Sequence, residues 1–300
     1  MKRTRSWRYW ARLLAVGLLT LYPTLVIAYA WTASAMMTHP AQHPVCCQSP
    51  ADFGADYETV SLTAADGIRL AGWYIPSQNG AAVILLHGYG GDRLGTLEYA
   101  RILSAHGYGA LLYDQRASGE SEGDLLSWGW RDVADVQAAL DFLAARAELD
   151  PGRIGIMGCS TGAEIALNAA ARFAEIDAVL ADAPYYATAS DSWPPFGLTD
   201  SLGWPFYPLF IKLMEWRSGA TAPMALSEAV TKIAPRPLML ISAGLDDYEQ
   251  FRARRYFELA GEPKEYWVVE GAVHCGGLAA QPEAYQSHMV EFFERALRAP

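Results

Sequence analysis

Apolar and polar positions follow different periods in different parts of this chain, and the changes mark its organisation. From Leu13 to Thr38 there is no charged residue, and Leu13 to Trp31 is almost wholly apolar. That run exceeds the ~18 residues expected of a membrane-spanning candidate. Residues 32–56 carry Pro40, Pro44 and Pro50 with little apolar periodicity, a pattern that disfavours helix and strand and predicts a stalk. Residues 57–63 and 68–75 read as two strands joined at Ala65-Asp66-Gly67, a hairpin signal. From residue 81 short apolar runs alternate with helix-period segments. The runs predict strands at 82–86, 109–113, 153–157, 178–181, 237–242 and 265–269. The segments between predict helices at 93–105, 130–146, 162–173, 250–260 and 282–297. The expected class is α/β, with a mainly parallel central sheet and helices on both faces. Ligands then bind outside the carboxyl ends of the strands. Pro184 to Thr231 interrupts the alternation with Trp, Phe, Tyr and Pro.

One strand-turn-helix context carries chemistry. Gly158-Cys159-Ser160-Thr161-Gly162 follows the strand ending at Met157 and opens the helix-like run from Ala163. A serine on so sharp a turn exposes its hydroxyl at the sheet edge, and flanking glycines let the strand and helix backbones pass close together. The hydroxyl needs a base within hydrogen-bond reach, and the base needs an acid to hold its tautomer. Of the six histidines, His274 alone combines a loop after a strand with a position well downstream of Ser160. The acid is expected after the strand Pro237 to Ser242, where Asp246 and Asp247 compete.

The order serine, acid, histidine resembles that of the α/β-hydrolase superfamily. His87-Gly88-Tyr89-Gly90-Gly91 is similar to its oxyanion-loop motif, and Asp114-Gln115-Arg116-Ala117-Ser118-Gly119-Glu120-Ser121 to its D-x-R-x-x-G-x-S segment. The resemblance spans roughly residues 57 to 300 and is closest to membrane-tethered bacterial esterases, thioesterases and serine aminopeptidases. It implies a Ser160, Asp247, His274 triad, because relatives place the acid three residues after the loop glycine. It also implies an oxyanion hole from the backbone N–H groups of Tyr89 and Thr161. Many relatives have Val-Pro soon after the acid; this chain has Tyr248-Glu249-Gln250 there. An insertion at 184–231 typically forms a lid over the serine. With Trp193, Phe196, Trp204 and Phe206 as pocket candidates, an aromatic lid implies an apolar acyl or alcohol site. The implied reaction is carboxylic-ester hydrolysis through an acyl-enzyme, with no cofactor or metal required. Thioesterase and aminopeptidase activities are the alternatives on the same fold. A non-catalytic, membrane-tethered binding protein is the alternative from another class.

Composition sharpens this picture. The 300 residues divide naturally into a basic segment 1–12, an apolar segment 13–33, a stalk 34–56 and a catalytic domain 57–300. Lys2, Arg3, Arg5, Arg8 and Arg12 precede the apolar run, while the net charge of the whole chain is -10. The body is therefore strongly acidic, which argues against nucleic-acid partners. Basic residues before the run and none just after it predict a catalytic domain on the non-cytoplasmic side. Ala28-Tyr29-Ala30 and Ala33-Ser34-Ala35 also fit a signal-peptide cleavage site, which would give a secreted protein. Of the four cysteines, Cys46 and Cys47 adjoin each other in the stalk. Cys159 and Cys275 flank the candidate serine and histidine and are expected to be free thiols.

Overall fold

A computed structural model describes residues 7–39 and 42–298. Lys2, Arg3, Arg5 and Pro40 lie outside the described residues. Eight strands form one sheet: β1 (Glu58–Thr63), β2 (Arg69–Ile75), β3 (Ala82–Leu86), β4 (Gly109–Tyr113), β5 (Ile154–Cys159), β6 (Ala178–Asp182), β7 (Leu238–Ala243) and β8 (Lys264–Val269). Their spatial order is β1-β2-β4-β3-β5-β6-β7-β8. Strand β2 runs antiparallel to β1 and β4, and all other pairings are parallel. The unbroken apolar runs of β3, β4, β6 and β7 are buried along their whole length, as parallel strands covered on both faces require. Edge strand β1 keeps only Val60 and Leu62 inward.

Ten helices accompany the sheet among the described residues. They are α1 (Trp7–Thr38), α2 (Leu97–Ala105), α3 (Asp132–Ala144), α4 (Thr161–Arg172), α5 (Gly197–Gly203), α6 (Phe206–Ser218), α7 (Leu226–Ala229), α8 (Asp247–Leu259), α9 (Gly277–Ala280) and α10 (Pro282–Ala296). One face of the sheet packs on α3, α4 and α8 through Val136, Leu140, Ile165 and Tyr256. The other packs on α2 and α10 through Ile102, Leu103, Met289 and Phe293. After β3 the chain crosses to β4 on one side and then to β5 on the other. The loops following β3 and β5 therefore diverge from a switch point, where open α/β sheets form their sites.

The apolar N-terminal run is helical further than its composition suggests. Helix α1 continues to Thr38, so residues 34–38 belong to a helix rather than a stalk. Its last turns are fixed by packing: Ala30, Ser34 and Thr38 recur every fourth residue and are buried. Arg217 on α6 donates to Ser34 Oγ at 3.0 Å, and its guanidinium lies 4.5 Å from the Trp31 ring centre. Further towards the N-terminus the helix is exposed; its most apolar 18-residue window is only 6% buried.

The insertion between β6 and β7 carries α5, α6 and α7. Its base is fixed by two buried groups. Asp191 accepts from the backbone N–H groups of Ala187, Thr188, Leu226 and Ser227. Arg252 on α8, fully buried, donates to the carbonyls of Asp191 and Ser192 at 2.7 and 2.8 Å. At its tip no residue of α5 is buried, and that helix is held through Asp200, which accepts from Tyr207 OH and pairs with Arg252.

Candidate active site

Ser160 sits between the end of β5 and the start of α4 with φ 57° and ψ -125°. This backbone region is sparsely populated for a residue with a side chain, and strain of this kind gathers at functional sites. The turn tolerates nothing larger than glycine on either side. A Cβ on Gly158 would lie 2.3 Å from the Gly162 backbone, and one on Gly162 would lie 2.3 Å from the Leu86 carbonyl oxygen. The serine hydroxyl lies 3.0 Å from His274 Nε2. On the other side of the imidazole, Nδ1 lies 2.7 Å from Glu249 Oε2. A carboxylate can only accept there, so Nδ1 carries the hydrogen and Nε2 is left to accept from the serine. Ser160 and His274 thus come together as their sequence contexts predict.

The acid does not hold to the expectation of Asp247. Asp246 caps α8, its Oδ1 accepting from Glu249 N at 2.9 Å. Asp247 is the first residue of the helix and is exposed. Glu249 stands on the same first turn with its side chain fully buried, reaching back over the helix end to His274. Its other oxygen accepts from Ala243 N at 2.5 Å. Asp246 takes a supporting place: its Oδ2 accepts from Tyr185 OH at 2.6 Å, and the Tyr185 ring lies flat on the imidazole at 4.7 Å. Asp246, Glu249 and His274 each bring one potential metal-ligand atom within 4.8 Å of the others. The hydrogen bonds just named already engage all three side chains.

Cys159 and Cys275 are not free thiols but a disulfide, with Cα atoms 6.0 Å apart. The bond joins the residue before Ser160 to the residue after His274, across 116 positions of sequence. The acid loop is tied to the histidine loop as well, Leu245 N donating to Ala272 O at 2.9 Å. Cys46 and Cys47 are free and exposed.

The loop after β3 closes the site from the other side. A Cβ on Gly88 would stand 3.5 Å from Ser160 Cβ, so this loop passes directly over the serine. His87 is held inside the protein: Gln115 N donates to its Nε2, and Gln115 Nε2 donates to its carbonyl. Its Nδ1 therefore bears the hydrogen and donates to Gly88 O at 2.8 Å. Burial pushes the His87 pKa down to about 4, so it stays neutral. The segment from Asp114 to Ser121 acts as a latch on this loop. Asp114 accepts from Arg93 N and Glu120 N, and Arg116 is paired with Asp135 and Asp66. Thr161, first residue of α4, has an N–H with no acceptor inside its helix. Tyr89 lies in a turn closed by Gly91 N donating to Gly88 O.

Two buried carboxyls lie beside the Ser160–His274–Glu249 hydrogen bonds without taking part in them. Glu164 on α4 accepts from the N–H groups of Tyr185 and Tyr186, and burial pushes its pKa up to about 8. Asp182, whose carbonyl accepts from Ser160 N, is pushed up to about 6 by burial, against the pull of the Tyr285 hydroxyl on its carboxylate. Of the aromatic candidates in the insertion, Phe196 and Phe206 line a cleft against α1. Trp193 and Trp204 instead meet each other edge to face, 5.2 Å apart.

The comparisons agree with this architecture. A family model described as the alpha/beta hydrolase family matches residues 83–298. An uncharacterised protein of Mycobacterium tuberculosis is 29% identical over 267 residues, covering 86% of each chain. The uncharacterised YfhR of Escherichia coli is 27% identical over 252 residues, covering 80% of this chain and 81% of its own. Among solved structures, the Pyrococcus furiosus esterase Pf2001 superposes with a TM-score of 0.69 at 26% identity, covering 86% of this chain and 99% of its own. With its sheet order, its serine turn and a family match over most of its length, this chain belongs to the α/β-hydrolase family.

Proposed function

We propose that the protein is a serine hydrolase cleaving carboxylic esters through an acyl-enzyme, with Ser160 as nucleophile, His274 as base and Glu249 as acid. The carrying observation is the continuous hydrogen-bonded line from Ser160 Oγ through the imidazole to Glu249. Ser160 attacks the ester carbonyl carbon as its proton passes to Nε2, and Glu249 stabilises the imidazolium that forms. The imidazolium then protonates the departing alcohol. Water, deprotonated by the same nitrogen, cleaves the acyl-serine, releasing the acid and restoring the hydroxyl. The N–H groups of Thr161 and Tyr89 serve the oxyanion, and loss of one such donor costs about 3 kcal/mol of transition-state stabilisation.

The esterase Pf2001 favours an ester over a thioester or peptide bond, being similar over nearly its whole length. The insertion is read as a lid with a buried base and an exposed tip at α5. Helix α1 is read as a retained membrane anchor with the catalytic domain outside. The disulfide supports that placement, since such bonds persist in oxidising compartments.

The test is labelling of the purified protein with a fluorophosphonate, beside a screen of p-nitrophenyl esters and peptide nitroanilides. The expected outcome is stoichiometric label on Ser160, ester turnover, and loss of both in Ser160→Ala. No label and no turnover from a folded protein would support the non-catalytic binding reading instead. Turnover of the nitroanilides alone would support a peptidase.

A further inference from the structure

A cleft of about 750 Å³ lies between α1 and the insertion, within the ~300–1,000 Å³ range of small-molecule sites. One wall is a stripe of α1 formed by Tyr22, Leu25, Val26, Tyr29, Ala33 and Met37. Three- and four-residue steps place all six on one helix face. The facing wall includes Tyr186, Phe206 and Phe210. Two hydroxyls of the lining are engaged within it: Tyr207 OH donates to Asp200, and Tyr22 OH donates to the Leu202 carbonyl. What remains for an occupant is mainly aliphatic and aromatic surface, to which Tyr29, Tyr186 and Thr199 add hydroxyl-bearing side chains.

Both ends of the cleft are informative. At the inner end, Met37 O accepts from the hydroxyl of Tyr89, the oxyanion-loop residue, at 2.8 Å. Trp128 packs between the Tyr89 and Tyr186 rings, at 5.5 and 6.1 Å. Tyr185, next to Tyr186, lies on His274. Contacting aromatic rings thus run from the cleft wall at Tyr186 through Trp128 to Tyr89 beside the serine turn. At the outer end the wall is the exposed apolar part of α1, opposite α5, whose Leu198 and Leu202 are 76% and 61% exposed. A helix of 32 residues is ~48 Å long, more than the ~30 Å hydrocarbon core of a bilayer. Its docked end lies against the protein and its apolar remainder needs a hydrocarbon medium. The mouth of the cleft, walled by that remainder, opens onto the same medium.

We propose that this cleft is an acyl-chain site: it receives the hydrocarbon chain of an ester lipid laterally from the bilayer and delivers the carbonyl to Ser160. Leu198 and Leu202 of α5 enter the bilayer surface beside α1, and the rings of Trp128 and Tyr186 part to admit the chain. The proposal rests on the serine-hydrolase reading for its chemistry, but its test does not require turnover.

The full-length protein in lipid nanodiscs is irradiated with a palmitoyl ester carrying a diazirine near the chain end, and cross-links are mapped by mass spectrometry. The expected cross-links fall on Tyr186 and on Phe206 to Phe210, competed by long-chain but not butyryl esters. Val26→Trp, which adds bulk inside the cleft, lowers them at least fivefold. Ala28→Trp, which adds bulk on the exposed face of α1 away from the cleft, leaves them as in the wild type. Cross-links confined to outward residues of α1, or equal yields from both variants, overturn the site. Cleft cross-links in a protein that no fluorophosphonate labels would uphold the site and sink the hydrolase reading. Ester turnover without cleft cross-links would do the reverse.

Discussion

Glu249 reaches His274 because its side chain is one methylene longer than an aspartate's, enough to span back from the first turn of α8. Replacing it by Gln leaves the shape but cannot stabilise an imidazolium and favours the wrong tautomer. We expect Glu249→Gln to lower kcat by about 10³- to 10⁴-fold, and Asp247→Asn to change it less than about threefold. Steady-state kinetics on one ester measure both, and the reverse ranking would restore Asp247 as the acid. The serine and histidine were legible because each sits in a Gly-bounded loop after a strand. The acid was not, because three carboxylates crowd one helix start and the capping bond of Asp246 decides which of them turns inward. Glu164 makes the stability of the fold depend on pH. In the fold it keeps its proton up to about pH 8, whereas an unfolded glutamate loses it near ~4.3. Between those values the unfolded chain binds fewer protons, so this group makes stability fall as pH rises. Asp182, raised to about 6, contributes with the same sign over a narrower window. Glu164→Gln should therefore raise Tm more at about pH 8 than at about pH 5, and equal gains at both would show that Glu164 is ionised in the fold.

Between elements, the disulfide has the largest mechanical consequence. It clamps the end of β5 to the loop after β8, so the segments carrying Ser160 and His274 are joined by a covalent bond as well as by the hydrogen bond between the two side chains. Closing a loop of ~100 residues stabilises by about 4.7 kcal/mol on chain-entropy grounds. Reduction, or the Cys159→Ser/Cys275→Ser double variant, is expected to lower Tm and to lower kcat at temperatures where the protein stays folded. Scanning fluorimetry and initial rates with and without a phosphine reductant measure this; unchanged values of both would mean the bond does not form. The strands and the helices of the main domain could be read from the sequence because their periodicity and bounding glycines agree with their burial. The pairing of Cys159 with Cys275 could not, since it depends on two loops meeting only when the sheet is assembled. The helices of the insertion were hidden for a related reason. Phe206, Phe210 and Met214 lie on α6 at helical spacing, but among so many aromatics and prolines no single period stands out.

For the whole molecule, orientation across a membrane decides which substrates the site can meet. Two observations point the same way, and a third concerns how the helix is attached. Basic residues precede α1 and the body is acidic, which favours an N-terminus inside. The disulfide needs an oxidising side. The C-terminal turns of α1 are docked by Ala30, Ser34 and Thr38, so the main domain packs directly against this helix rather than hanging on a free tether. A cleaved signal peptide would discard the very wall that α1 supplies to the cleft, and sites such as Ala33-Ser34-Ala35 are partly buried against α6. Helix α1 is thus part of the packing of the domain, and its loss should expose Phe206 and Phe210. We expect the full-length protein to fractionate with membranes after carbonate washing, and its catalytic domain to be digested by protease added outside cells whose cytoplasmic membrane is intact. We also expect a chain shortened to begin at Asp56 to be less stable and prone to aggregate, because the apolar face of α6 is left uncovered. Protection from the external protease would place the domain in the cytoplasm, where the disulfide would not persist. A stable, monomeric shortened chain would show that α1 is only an anchor.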